Sequence, residues 1–368
     1  MKASNFITIT LLIFMFAAAG IGISQDFNHD GDSVIGTVTE VLSEQCANFP
    51  EETCQQITIE HSQQQIFSFS YQSNQDVALG QLNVKEGQQV ILEKLETGDY
   101  VFVGPVRHNS LLWLVGIFVV LVLAVAGIQG AKSLLSLGVS IIAIFFLFLP
   151  GIARGYDPII LALGIIGITL ISSMFVIHGF TRKILSASIG IVVALVVTYI
   201  LSLIFINAST ITGYSSEEAV FILSFSDVPI NMKAIIASTI LLATLGLLDD
   251  ATVTQAGLVF ALRDENPKMP ADKLFFKAMD VGRDHISSLV NTLVIAYTAA
   301  SLPMIILIFL AGNSFLDIVN RETISEEIVR ALIGSIGLIL AVPITTIAAV
   351  FLAKVGSNKG DSPILYRR

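Results

Sequence analysis

The chain reads as long apolar runs separated by short polar stretches, with one region of a different character near its start. Apolar runs occupy residues 6–23, 111–128, 134–150, 159–177, 184–206, a stretch beginning at Ala234, 286–312 and 328–352. Most have the ~17–25 residues that an α-helix needs to cross the hydrocarbon layer of a bilayer. Eight such runs predict about eight transmembrane helices, counting the N-terminal one. Between the first and second runs the period changes to two. Val34, Gly36, Val38 and Val41 lie in one such run, then Ile57 and Ile59, then Ile66, Phe67 and Phe69, then residues 90–92 and 100–103. Gly80, Gly87 and Gly98 fall at the expected turns. This pattern predicts five or six short strands in a small antiparallel β-barrel of OB type. The expected fold is an α-helical polytopic membrane protein with a small extracytoplasmic β domain. Its parts are an N-terminal anchor or signal peptide at 1–23, the β domain at 24–110, a transmembrane helical domain at 111–355 and a cytoplasmic tail at 356–368.

Composition supports this division. The 368 residues are 54% hydrophobic and only 13% charged, about half the charged share of a soluble domain. The net charge of −9 is concentrated in residues 24–110, which hold 13 acids against 3 bases. That excess of negative charge excludes nucleic acid as the β domain's partner. Thirteen of the 20 bases, among them Lys132, Arg182, Lys183, Arg263, Lys268, Arg283 and Lys354, fall on one set of connections. Residues 207–232 carry none. By the positive-inside rule the 251–285 connection and the C-terminus are cytoplasmic and the β domain lies outside. Cys46 and Cys54, both in the β domain, are then placed to form a disulfide in an oxidising compartment. His61 alone makes no metal site.

The chemistry-bearing residues are few. No CxxC, HExxH or Walker loop is present, and no cofactor or metal is implied. Ser186, Gly190 and Ala194 stack small residues on one helix face, which favours close helix packing. The informative stretch is Leu241 to Leu262, where Asp249 and Asp250 interrupt the apolar run and Thr254 follows on the face of Asp250. The span either ends near Leu248, with both carboxylates at the cytoplasmic interface, or continues to Leu262 with both well inside. A carboxylate at depth costs about 2.5–3.5 kcal/mol, so it should face a cavity or a partner. Two adjacent ionised carboxylates also repel, which disfavours both carrying charge. Next, Leu274, Phe275, Ala278 and Met279 form an apolar face among Lys273, Lys277 and Asp280, predicting a helix that lies in the interface. Arg283 can pair with Asp249 or Asp250 or, as the favoured expectation, locally with Asp280 or Asp284. The run from Ile286 carries Asn291 and Tyr297, candidates to line a polar cavity with the carboxylates. Ser216 and the two glutamates after it predict a short capped helix on the outer side.

These residues resemble the YibE/F family of bacterial multi-pass membrane proteins. The matching stretches are Ser215 to Glu218, Gly246 to Asp249, Glu265-Asn266-Pro267, Gly282-Arg283-Asp284, Asn291-Thr292-Leu293, Ala296-Tyr297 and Ser301-Leu302-Pro303. Their order and spacing carry the resemblance. The family pattern has one Asp after the glycine, which corresponds here to Asp249 or Asp250. The resemblance implies a bacterial cytoplasmic membrane location and no particular reaction. Two functions stay open. One is a transporter or permease using an intramembrane carboxylate. The other is a non-catalytic membrane partner or assembly factor acting through the outer β domain, with a membrane protein or a second copy as partner. An intramembrane aspartyl enzyme is disfavoured, because adjacent carboxylates on one helix cannot form a two-helix dyad and no GxGD is present.

Overall fold

The computed structural model describes residues 33–46, 49–61, 65–72, 84–94, 100–173, 179, 181–226, 228–312 and 314–356. The expected N-terminal anchor and C-terminal tail lie outside them. The chain divides into two compact units, residues 1–134 and 135–368.

The first unit contains five strands where the two-residue period placed them. They are β1 (Ser33–Cys46), β2 (Phe49–His61), β3 (Gln65–Gln72), β4 (Gln89–Lys94) and β5 (Tyr100–Pro105). All pair antiparallel, in the order β3-β2-β1-β4-β5. β1 is shared. Its first residues pair with β4, from Ser33 opposite Glu93 to Thr37 opposite Gln89, and the rest pairs with β2 across a register shift between Val38 and Glu40. One face is buried and collects Val38, Ile57, Ile59, Val90, Leu92 and Phe102. The described pairings make an open sheet with β3 and β5 at its edges, and closure into a barrel is not among them. Cys54 lies opposite Glu44 and Cys46 opposite Phe49. The side chains of the two cysteines, and with them the expected bridge, lie outside the described residues.

The long helix α1 (His108–Ala143) starts in this unit. Gly127, at φ 54° and ψ −133°, breaks its helical backbone, a conformation that only glycine adopts without strain. The break falls at the end of the run expected at 111–128, before the run at 134–150. A π-helical turn at Ile144–Phe148 and α2 (Leu149–Ala153) extend the segment to 46 residues.

The second unit is helical. Its elements are α3 (Pro158–Ser172), α4 (Arg182–Ala208), α5 (Glu217–Phe225), α6 (Met232–Glu265), α7 (Ala271–Ala300), α8 (Leu302–Leu310), α9 (Phe315–Val319) and α10 (Glu322–Gly356). Polar side chains open the main helices as the sequence suggests. Asp157, Thr181, Ser216 and Asn231 accept hydrogen bonds from the first free backbone N–H groups of α3, α4, α5 and α6. The core is built where α4, α6, α7 and α10 meet, around Ile191, Leu241, Leu245, Leu248, Met279 and Leu338.

Among the described residues, four helical segments are long and apolar enough to cross a membrane: His108–Ala153, Arg182–Ala208, Met232–Glu265 and Glu322–Ala353. α7 and α8, bent by 54° where Ser301 precedes Pro303, make a fifth if counted as one span. The count of eight also took in residues 6–23, which are outside the described residues, divided the first segment in two, and included α3, which has 15 residues.

One expectation is corrected. The interfacial helix near residues 271–280 and the span after it are a single helix, α7. Leu274 and Ala278 bury against Ala256 and Val259 of α6 and Ala349 of α10. The apolar face that looked ready for lipid is filled by protein.

Candidate functional site

α6 is continuous through the carboxylates. At 1.5 Å per residue its 34 residues span about 51 Å, well beyond the ~30 Å hydrocarbon layer. Asp249 and Asp250 sit at its midpoint. The helix therefore runs past Leu262 to Glu265 and is not broken at the carboxylates.

Successive residues on a helix point about 100° apart, so the two carboxylates meet different neighbours. Asp249 is half-buried and accepts a hydrogen bond from Ser173 Oγ, just beyond α3, at 3.0 Å. Asp250 is exposed, and His285 of α7 lies within electrostatic range of it, with no hydrogen bond or ion pair joining the two among the described residues. The Nε2 atom of His285 is buried and has no hydrogen-bond partner among the described residues. The site therefore joins Asp249, Asp250, Ser173 and His285, drawn from α6, the end of α3 and α7.

The other expected members lie elsewhere. Thr254 is exposed one turn further along α6. Asn291 is exposed, in a shallow recess with Ser288 and Thr292. Tyr297 lines a separate recess with Thr298, Ser301 and Glu327. Along α7, Asn291 is about 9 Å and Tyr297 about 18 Å from His285. No described hydrogen bond joins either to the carboxylates. Arg283 pairs with Asp280 on its own helix at 3.2 Å, as the local reading expects.

A second polar cluster is buried in the core nearby. Gln255 Nε2 donates to the Ala278 carbonyl at 3.0 Å and to Thr346 Oγ1 at 2.8 Å, tying α6 to α7 and α10. A side chain at Gly282 would run into Gln255 and Val342, so glycine there lets α7 close on α6. Below, Arg263 is buried and donates to the carbonyls of Pro267 and Met269 at 3.2 and 2.7 Å, fixing the turn into α7.

A family model described as YibE/F-like protein matches residues 114–355. The chain belongs to the YibE/F-like family. The match covers the helices that carry Asp249, Asp250, Gln255 and His285, and it starts after the last strand. The β-sheet lies in front of the matched region. No curated protein and no solved structure matches the chain.

His285 and Ser173 were not singled out by sequence reasoning. The signal for His285 was present, as an ionisable residue at the start of an apolar run. For Ser173 there was none, since serines are scattered through most of the spans.

Proposed function

We propose that the chain is a proton-coupled permease of the bacterial cytoplasmic membrane, with the Asp249–Asp250 pair as its coupling group. The observation that carries this reading is the placement of the two carboxylates at the midpoint of a continuous membrane-length helix, held by Ser173 on one side and faced by His285 on the other. Ionisable groups at such depth mark ion or proton pathways more often than structural pairs. Under this reading Asp249 and Asp250 exchange a proton, Ser173 orients Asp249, and His285 hands the proton across to α7. The full topology is eight spans, with the β domain outside and the C-terminus in the cytoplasm, as the distribution of bases supports.

A second reading makes the β domain a docking module for another membrane protein. It is favoured by β5, an edge strand of the described sheet that exposes Val101 and Val103. The order β3-β2-β1-β4-β5 with β1 shared by both halves suits an OB-type barrel left open between β3 and β5.

The deciding experiment uses protein in liposomes loaded with a pH-sensitive dye. Pools of small solutes are added outside, and solute-dependent proton entry is followed for the wild type, Asp249→Asn, Asp250→Asn and the double variant. Flux should fall for at least one single variant and vanish in the double. A folded double variant with full flux, or a wild type giving none with any pool, sinks the permease reading.

A further inference from the structure

Where α7 bends into α8, a recess of about 140 Å³ opens against the first turns of α10. A cavity of about 150 Å³ holds benzene, which sets the size of an occupant. Most of the wall is aliphatic, with Ile305 and Ile328 among its residues, and four polar side chains face it: Tyr297, Thr298, Ser301 and Glu327. Two of these have already committed their protons. Thr298 Oγ1 donates to the Val294 carbonyl at 2.8 Å, and Ser301 Oγ donates to the Tyr297 carbonyl at 3.2 Å. They present lone pairs to the recess. Glu327 accepts from Arg330 through Oε1 at 3.0 Å, and its Oε2 has no hydrogen bond among the described residues. Arg330 gives its other terminal nitrogen to Glu326 at 2.5 Å, so the three charged side chains carry a formal net charge of −1. Tyr297 adds the negative face of its ring. Apart from the phenol proton, everything the recess offers is an acceptor.

We infer that this recess binds a small organic cation, an ammonium bearing a few carbon atoms, with its charge against Glu327 and Tyr297 and its carbons on the aliphatic wall. A neutral molecule of the same shape would satisfy the wall and leave Glu327 Oε2 without a partner. A bare metal ion would satisfy the carboxylate and leave the wall empty. The inference rests on the permease reading in treating this ligand as cargo. Binding is measured without transport, so either can fail alone.

The test is equilibrium dialysis of purified full-length protein in detergent against labelled choline. Tetramethylammonium and 3,3-dimethylbutan-1-ol, a neutral isostere of choline, serve as competitors. Choline should bind saturably at one site per chain and be displaced by tetramethylammonium but not by the alcohol. Glu327→Gln should weaken binding at least about ten-fold, the loss expected for one charge-assisted contact. Tyr297→Leu should weaken it similarly, whereas Tyr297→Phe, which keeps the ring, should stay within about two-fold. The Asp249→Asn/Asp250→Asn double variant should bind as the wild type does. Absence of saturable binding, equal competition by the alcohol, or unchanged affinity in folded Glu327→Gln would overturn the assignment. If Glu327→Gln fails to fold, the two Tyr297 variants decide: equal affinity in both also overturns it.

Discussion

Two neighbouring carboxylates in this chain meet different neighbours because a helix turns them to different sides. Asp249 accepts from Ser173, and Asp250 lies within electrostatic range of His285. His285→Leu should therefore mimic Asp250→Asn more closely than Asp249→Asn in the dye assay, and equal loss in all three would argue against a relay running through His285. Gln255 serves structure instead. Its amide answers a carbonyl 23 residues away and a hydroxyl 91 residues away. Gln255→Leu leaves the Ala278 carbonyl and the Thr346 hydroxyl without that donor, and should destabilise the protein by about 1–3 kcal/mol, read as a lowered melting temperature in detergent. The carboxylates were legible in the sequence because charge stands out in an apolar run. Gln255 was not, since an isolated Gln beside Ala and Gly has nothing local to reveal partners so distant. Asn291 and Tyr297 were placed with the carboxylates on depth alone. A helix separates residues by 1.5 Å per step as well as by angle, and that rise carries both away.

Among the elements, α4 and α10 meet through small residues. The small-residue row Ser186, Gly190, Ala194 continues through Thr198 and Ser202, and all five are buried. Thr345 of α10 sits on Gly190, and Thr198 of α4 sits on Gly337 of α10. Each helix thus lends a threonine to the other's glycine. Neither hydroxyl has a hydrogen-bond partner among the described residues. They rest against glycine backbone, where weak C–H···O contacts are available. Gly190→Ala should cost about 1–3 kcal/mol by overpacking, and adding Thr345→Ala to the same chain should recover most of it. Simple additivity of the two changes would mean that the helices do not meet there. The packing role of the row was readable from four-residue spacing. The continuity of α6 and the merging of the 271–280 helix with its successor were not, because local patterns do not report which apolar faces neighbouring helices fill. On α9, hydrogen bonds from Ser314 hold the Asp317 carboxyl below its usual range. That capping box contributes above the ordinary carboxylate range and is lost as pH falls through the lowered value, which NMR titration of the Ser314 amide would follow.

At the scale of the molecule, sequence reasoning recovered the division into strands and membrane helices, because period two and long apolar runs are properties of the chain itself. It did not recover the edges of the sheet, which depend on pairings between distant strands. The family match begins after the last strand, inside α1, and covers the helical part of the chain. The proposed orientation has a direct check. In a background with Cys46→Ser and Cys54→Ser, single changes Ser215→Cys and Lys268→Cys are exposed to a membrane-impermeant thiol reagent on intact cells. Ser215→Cys should label and Lys268→Cys should not; the reverse would invert the topology.

The length of α6 has an electrical consequence. With the bilayer centred on that midpoint, as the permease reading has it, a carboxylate there lies about halfway through the transmembrane field. A proton reaching Asp249 or Asp250 from one side therefore crosses about half the voltage, worth about 1.1 kcal/mol per 100 mV. Occupancy of the pair would change about seven-fold over that range. Clamping the membrane voltage should then shift the pH of half-maximal flux by about 0.8 unit per 100 mV, whereas carboxylates at either surface would leave it in place.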